Sequence, residues 1–217
     1  MYKTVVFDLD GTLLNTLTDL ADAGNRLCRK YGWPTHERQA YRYFVGNGIP
    51  KLVERLVPAD QRTPAVLEAA LADFKRDYGQ HLRDTTAPYP GIPEMLAKLK
   101  ANGVQLAVFS NKADALAKEV VKDYFGTQYF TIVRGQMTGV APKPAAEGTN
   151  ALLQALHADP ASTLYVGDSN VDVETAHNAN LPCCGAVWGF RTREELNAAG
   201  AEYLAENSDE LYDVIMK

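Results

Sequence analysis

Val5-Val6-Phe7-Asp8-Leu9-Asp10-Gly11-Thr12-Leu13 is a short apolar run that ends in two aspartates and turns at a glycine. Side chains two apart leave a strand on the same side, so Asp8 and Asp10 can both enter one space at the strand's carboxyl end. Two anions placed so close repel unless a cation lies between them or one takes a proton. The remaining sequence is read for what completes a site around this strand end.

Beyond the strand, a helix is expected from Thr18 to about Arg29, stopped by Gly32-Trp33-Pro34. Residues 35–84 carry no β pattern; helices are expected at 37–44, 49–56 and 63–82, with Pro64 suited to a first turn. So long a helical stretch exceeds a simple crossover and reads as an insertion. After Pro88-Tyr89-Pro90-Gly91, strands expected at 104–110, 129–133, 163–166 and 183–187 alternate with helices. Leu106-Ala107-Val108-Phe109 is apolar on both faces, the pattern of a parallel sheet covered on both sides. The expected class is α/β: a three-layer core with a mostly parallel sheet, residues 1–14 and 87–217, and an inserted helical domain, residues 15–86.

The 217 residues are 46% hydrophobic and 23% charged, the balance of an ordinary globular chain, and the net charge is −5. That charge argues against nucleic acid or an anionic membrane as the main partner, while a small anionic substrate is still allowed. Cys28, Cys183 and Cys184 have neither a disulfide nor a zinc spacing and read as small buried apolar residues in a reducing compartment. No stretch is long and apolar enough for a membrane span, and the first residues lead straight into a strand. A cytoplasmic location is expected.

Open parallel sheets bind ligands at the carboxyl ends of their strands. The first strand ends at Asp8 and Asp10, the second at Ser110-Asn111-Lys112, and the fourth at Gly167-Asp168-Ser169-Asn170 followed by Asp172. Lys143 stands between Pro142 and Pro144. Taken singly, each is an ordinary turn, helix cap or surface charge. Together they suit Mg²⁺ and a phosphate: carboxylates as hard oxygen ligands, lysine as a point charge, serine and asparagine as neutral donors.

In this order the run Asp8-Leu9-Asp10-Gly11-Thr12, Ser110, Lys143 and Gly167-Asp168-Ser169-Asn170-Val171-Asp172 resembles the four motifs of the haloacid dehalogenase superfamily, across essentially the whole chain. The resemblance implies a Rossmann-like core, and the helical insert is similar to the cap of that superfamily's first cap class. Gly46-Asn47-Gly48 with Leu52-Val53-Glu54-Arg55, and the tail Trp188-Gly189-Phe190-Arg191, resemble phosphoglycolate phosphatases.

What the resemblance implies is an Mg²⁺-dependent phosphatase for a small phosphorylated metabolite, acting as a monomer or homodimer. Asp8 would be the nucleophile and Asp10 the acid and base. Asp8, Asp168 and the Asp10 carbonyl would hold the metal, and Asp172 would act through water or Lys143. Ser110, Asn111, Lys143 and the Gly11 and Thr12 region would hold the phosphoryl oxygens, and Gly46, Asn47 and Gly48 would face the substrate. A cap moving about hinges near 13–16 and 87–91 would exclude water.

2-Phosphoglycolate is the leading substrate. Pyrophosphate, sugar phosphates and nucleotide phosphates stay open, as do a β-phosphoglucomutase-like mutase and a phosphonate hydrolase using Lys51. A receiver-like phospho-acceptor is the non-enzymatic alternative; such a module would carry its phospho-acceptor after a later strand and would lack the helical insert.

Overall fold

The computed structural model describes residues 1–217, which divide into two compact units: Met1–Leu14 with Pro88–Lys217, and Asn15–Ala87. The chain starts in β1 (Thr4–Phe7), leaves the first unit through the two-residue strand β2 (Leu14–Asn15), and forms α1 (Leu17–Tyr31), α2 (Arg38–Phe44), α3 (Ile49–Leu56) and α4 (Pro64–His81). It returns through β3 (Ala87–Pro88) to α5 (Ile92–Ala101), β4 (Gln105–Ala113), α6 (Asp114–Phe125), β5 (Phe130–Gln136) and α7 (Ala146–Leu156). β6 (Thr163–Gly167), α8 (Asn170–Asn178), β7 (Cys183–Ala186), α9 (Arg193–Ala198), β8 (Tyr203–Ala205) and α10 (Ser208–Met216) complete it.

Six strands form one sheet in the order β5-β4-β1-β6-β7-β8, every neighbouring pair parallel. Succession runs outward from β1 through β4 to β5, then returns to β6 on the other flank of β1. The strand order therefore reverses beside β1, which is where open parallel sheets hold their ligands. β1 is buried along its whole length, as are β6 and β7. On one face, Val6, Phe109, Tyr165 and Cys183 pack against Leu152, Leu153 and Leu156 of α7 and Val173 and Ala176 of α8. Burying each large apolar side chain contributes about 2 kcal/mol, so this layer gives β1 a firm floor. All three cysteines are buried and unpaired; burial pushes the Cys184 thiol up to about 12 and raises those of Cys28 and Cys183, which keeps them unreactive.

The second strand of the core differs from the sequence reading. A strand ending at 110 was the expectation; β4 instead continues to Ala113. Its register pairs Phe109 with Arg134 and Ala113 with Gln136 of β5, so Ser110, Asn111 and Lys112 face Gly135 alone. Such a bulge breaks strict alternation and re-aims side chains at a sheet's rim.

The helical unit is built on α1 and α4. Gly32 ends α1 in the left-handed region, at φ +70°, and Thr63 caps α4 by accepting the Val66 N–H at 3.3 Å, with Pro64 in the first turn. Gly24 lets the fully buried Tyr41 lie on α1: a Cβ there would meet the Tyr41 ring at 2.5 Å. Asp19 is buried and accepts four hydrogen bonds, from Thr85 N (2.9 Å), Thr85 Oγ1 (2.5 Å), Thr86 N (2.9 Å) and Thr86 Oγ1 (2.7 Å). It thus joins the first turn of the unit to its last residues. No helix is long and apolar enough to cross a membrane.

Candidate active site

Asp8 extends β1 by one residue, its N–H donating to the Val166 carbonyl at 2.8 Å. The loop beyond is closed by Leu9 O, which accepts from the N–H groups of Thr12 (3.3 Å), Leu13 (3.0 Å) and Leu14 (3.0 Å). Gly11 makes this turn possible. Its φ is +90°, and a Cβ there would fall 2.3 Å from Asp168 Oδ2. Each carboxylate of the opening motif meets a lysine of its own. Lys143 Nζ lies 3.0 Å from Asp8 Oδ1, while Lys112 Nζ lies 3.0 Å and 3.3 Å from the two oxygens of Asp10. The repulsion expected from their spacing is relieved by two separate ammonium groups.

Lys143 is buried and reaches under the end of β1. Its ammonium is 2.7 Å from Asp172 Oδ1, 3.3 Å from the Tyr165 hydroxyl and 3.4 Å from the Phe109 carbonyl. Burial alone would lower its pKa; Asp172 and Asp8 outweigh that and raise it well above the usual lysine range, so it is an ammonium at neutral pH. The Asn111 amide holds this residue's backbone. Asn111 Oδ1 accepts the Lys143 N–H at 2.8 Å and Nδ2 donates to its carbonyl at 3.2 Å. Ser110 is buried beside it, its oxygen accepting the Lys112 N–H at 3.3 Å, which leaves its O–H to donate.

Asp168 and Asp172 come from the end of β6 and the start of α8. Asp172 Oδ2 accepts from Asp168 N (3.2 Å), Ser169 N (3.1 Å) and Ser169 Oγ (2.7 Å), fixing the helix start. Asp168 Oδ1 accepts from Thr12 Oγ1 at 2.9 Å and Oδ2 from Phe190 N at 2.8 Å. Thr12, expected as a phosphoryl donor, thus spends its hydroxyl on Asp168. Burial, with Asp172 and Asp8 adding to it, pushes the Asp168 carboxyl well up. Burial also raises Asp8, to about 7, against the opposing pull of Lys143 and with Asp172 adding to the rise.

Oxygens of Asp8, Asp168 and Asp172 lie within 4.8 Å of one another. Three buried carboxylates against one buried ammonium leave this cluster short of positive charge. Asp8 Oδ1 lies 3.0 Å from the Lys143 ammonium and has no other polar partner. A divalent cation with oxygen ligands fits this donor set. Asp172 is already saturated by Lys143 and three donors, so Asp8 and Asp168 are the side chains able to hold it.

In the helical unit, Gly46-Asn47-Gly48 link α2 to α3 with positive φ at Gly46 (+115°) and Gly48 (+81°). Arg55 shapes this loop by donating to Tyr43 O (3.1 Å), Phe44 O (2.8 Å) and Asn47 Oδ1 (2.9 Å). Lys51 pairs with Glu54 at 2.7 Å on an exposed helix face.

The profile of the "Haloacid dehalogenase-like hydrolase" family matches residues 5–186. The chain belongs to this family. It is 31% identical over 216 residues to the phosphoglycolate phosphatase of Chromobacterium violaceum, spanning 98% of this chain and 96% of that one. A crystal structure of a predicted phosphoglycolate phosphatase from Haemophilus somnus superposes with a TM-score of 0.91 at 26% identity, covering 98% and 97% of the two chains. Rhodobacter sphaeroides CbbY, a mutant solved with xylulose-(1,5)bisphosphate, gives 0.79 at 25% identity, covering 97% and 96%. The protein is a haloacid dehalogenase-like enzyme of the phosphoglycolate phosphatase-like kind, with the α/β core of that family.

Proposed function

We propose that this haloacid dehalogenase-like enzyme is an Mg²⁺-dependent phosphatase that hydrolyses small phosphate monoesters through an aspartyl-phosphate on Asp8. The observation that carries the proposal is the buried, charge-deficient cluster of Asp8, Asp168 and Lys143 at the point where strand order reverses. Asp8, Asp168 and the Asp10 carbonyl would hold Mg²⁺, which supplies positive charge to the carboxylates and to the incoming phosphoryl group.

In the first half-reaction an Asp8 oxygen forms a bond to phosphorus while the bond to the ester oxygen breaks. Asp10 gives its proton to that departing oxygen. In the second, water attacks phosphorus, its proton passes to Asp10, and the Asp8–phosphorus bond breaks. Lys143 and Ser110 would hold the phosphoryl oxygens throughout.

2-Phosphoglycolate, giving glycolate and phosphate, is the substrate proposed first, supported by the similarity to phosphoglycolate phosphatases. A sugar bisphosphate is the second reading, favoured by the likeness to CbbY. The Lys51–Glu54 ion pair speaks against an amine poised for Schiff-base chemistry. Gly46-Asn47-Gly48 is the proposed place where the organic part of the ester is chosen. Purified protein with Mg²⁺, assayed for phosphate release across a panel including 2-phosphoglycolate, sugar bisphosphates, nucleotides and pyrophosphate, tests the proposal. Hydrolysis of none of them, in the presence of Mg²⁺, would sink it.

A further inference from the structure

The proposed chemistry gives Lys112 no task, yet this lysine is buried at the sheet's rim, its side chain 2% exposed. Its ammonium meets both oxygens of Asp10, at 3.0 Å and 3.3 Å, and the Asp10 side chain is itself only 14% exposed. Taking an ammonium and a carboxylate out of water costs more than their attraction commonly returns, and well-packed apolar residues in such places often fold better. Stability alone does not account for this pair.

The backbone beneath Lys112 is fixed from three directions. Its N–H donates to Ser110 Oγ at 3.3 Å. Its carbonyl oxygen lies so near β5 that a Cβ on Gly135 would fall 2.4 Å from it and 2.6 Å from the Asp114 Cα. The Gly135 N–H in turn donates to Asp114 Oδ1 at 3.0 Å. Within this bulge Ser110, Asn111 and Lys112 stand opposite a single residue, so one strand end presents all three.

We propose that Lys112 is a positioning residue: it aims the Asp10 carboxyl at the bridging oxygen of the ester. Asp10 sits on a turn, whereas Ser110 and Lys112 sit on a packed strand. Tying Asp10 to Lys112 sets the span between the phosphoryl-holding group and the proton donor inside one rigid element. The inference rests on the phosphatase reading above. Small misplacements of a reacting group can cost on the order of 10²-fold in rate.

The test compares kcat/KM for an alkyl phosphate that the unmodified enzyme hydrolyses with that for p-nitrophenyl phosphate, whose leaving group needs little help from a proton. Lys112→Met should lose about 10- to 100-fold on the alkyl ester and less than about threefold on the aryl ester. Lys112→Arg should recover most of the loss, since it keeps the charge and reach to both oxygens. In an Asp10→Asn background, Lys112→Met should cost less than about twofold more, because coupled residues are not additive. If Lys112→Met does not fold, Lys112→Gln carries the same comparison.

Equal losses on both esters, or additive losses with Asp10→Asn, would overturn the inference. So would a rise in KM alone, which would make Lys112 a substrate contact. An unmodified enzyme inactive on every ester would instead overturn the phosphatase reading on which the inference stands.

Discussion

The side chain of Asn111 is bonded to both ends of the Lys143 peptide, accepting its N–H at 2.8 Å and donating to its carbonyl at 3.2 Å. A strand-end amide thereby holds a lysine from a loop 32 residues away. Asn111→Leu keeps the shape and removes both bonds. It is expected to lower kcat by about 10- to 100-fold through a displaced ammonium, with the metal-binding isotherm unchanged. Steady-state kinetics beside Mn²⁺ titration checks this; an unaltered kcat would refute it.

Asp8→Asn is expected to remove turnover by on the order of 10⁴-fold or more, as loss of a nucleophile does. It should also make the metal-free protein more stable. Asp8 is raised to about 7 by burial, so its ionised form is the one the fold disfavours. The sign follows: the contribution is fully present below the unfolded carboxyl value and is lost as pH rises through about 7. In EDTA, Asp8→Asn should melt progressively higher than the unmodified protein as pH goes from 5 to 7.5. A gap that does not widen over that window would count against this account.

Gly189 sits so close to Asp168 that a Cβ would fall 2.2 Å from the Asp168 Cβ and 2.5 Å from the Gly11 carbonyl oxygen. The neighbours are backbone and a buried carboxylate, so none can step aside cheaply. Gly189→Ala should displace Asp168, weaken Mg²⁺ binding by tenfold or more (about 1.4 kcal/mol per factor of ten), and lower activity at limiting Mg²⁺. Calorimetric titration of the variant against the unmodified enzyme is the measurement; matching affinities would show the clash is absorbed elsewhere.

Asp19→Ala leaves two N–H groups and two hydroxyls without their buried acceptor. Hydrogen bonds to charged groups contribute about 1.5–3 kcal/mol each, and orphaned donors add a further cost. A loss of about 3 kcal/mol or more is expected in urea unfolding. A loss below about 1 kcal/mol would mean that water replaces the carboxylate.

Periodicity and turn residues made the alternation of the core and the helical insert legible, and the strand-end clusters were visible because each follows an apolar run directly. Ala87, placed by the sequence reading in the core, lies with the helical unit instead. What local pattern could not supply was pairing. The bulge that carries β4 on to Ala113 depends on Gly135 in another strand, so Lys112 fell beyond the expected strand end at 110. The unbroken polar run Ser110-Asn111-Lys112 at the end of an apolar strand was the signal that could have marked it. The resemblance implied Thr12 and Asn111 as donors to a ligand. Their partners, Asp168 and Lys143, lie 156 and 32 residues away, and only the folded chain shows those bonds. Asp19 is joined to Thr85 across 66 residues and left no mark in the sequence for the same reason.

The Asp19 bonds have a consequence for how this chain can be rearranged. A segment whose two ends are fastened to each other does not rely on its host to keep them together. Asn15–Ala87 carries that fastening inside itself, in Asp19, Thr85 and Thr86. It is therefore suited to being exchanged whole between related cores at Leu14 and Pro88, as a cassette that arrives already closed.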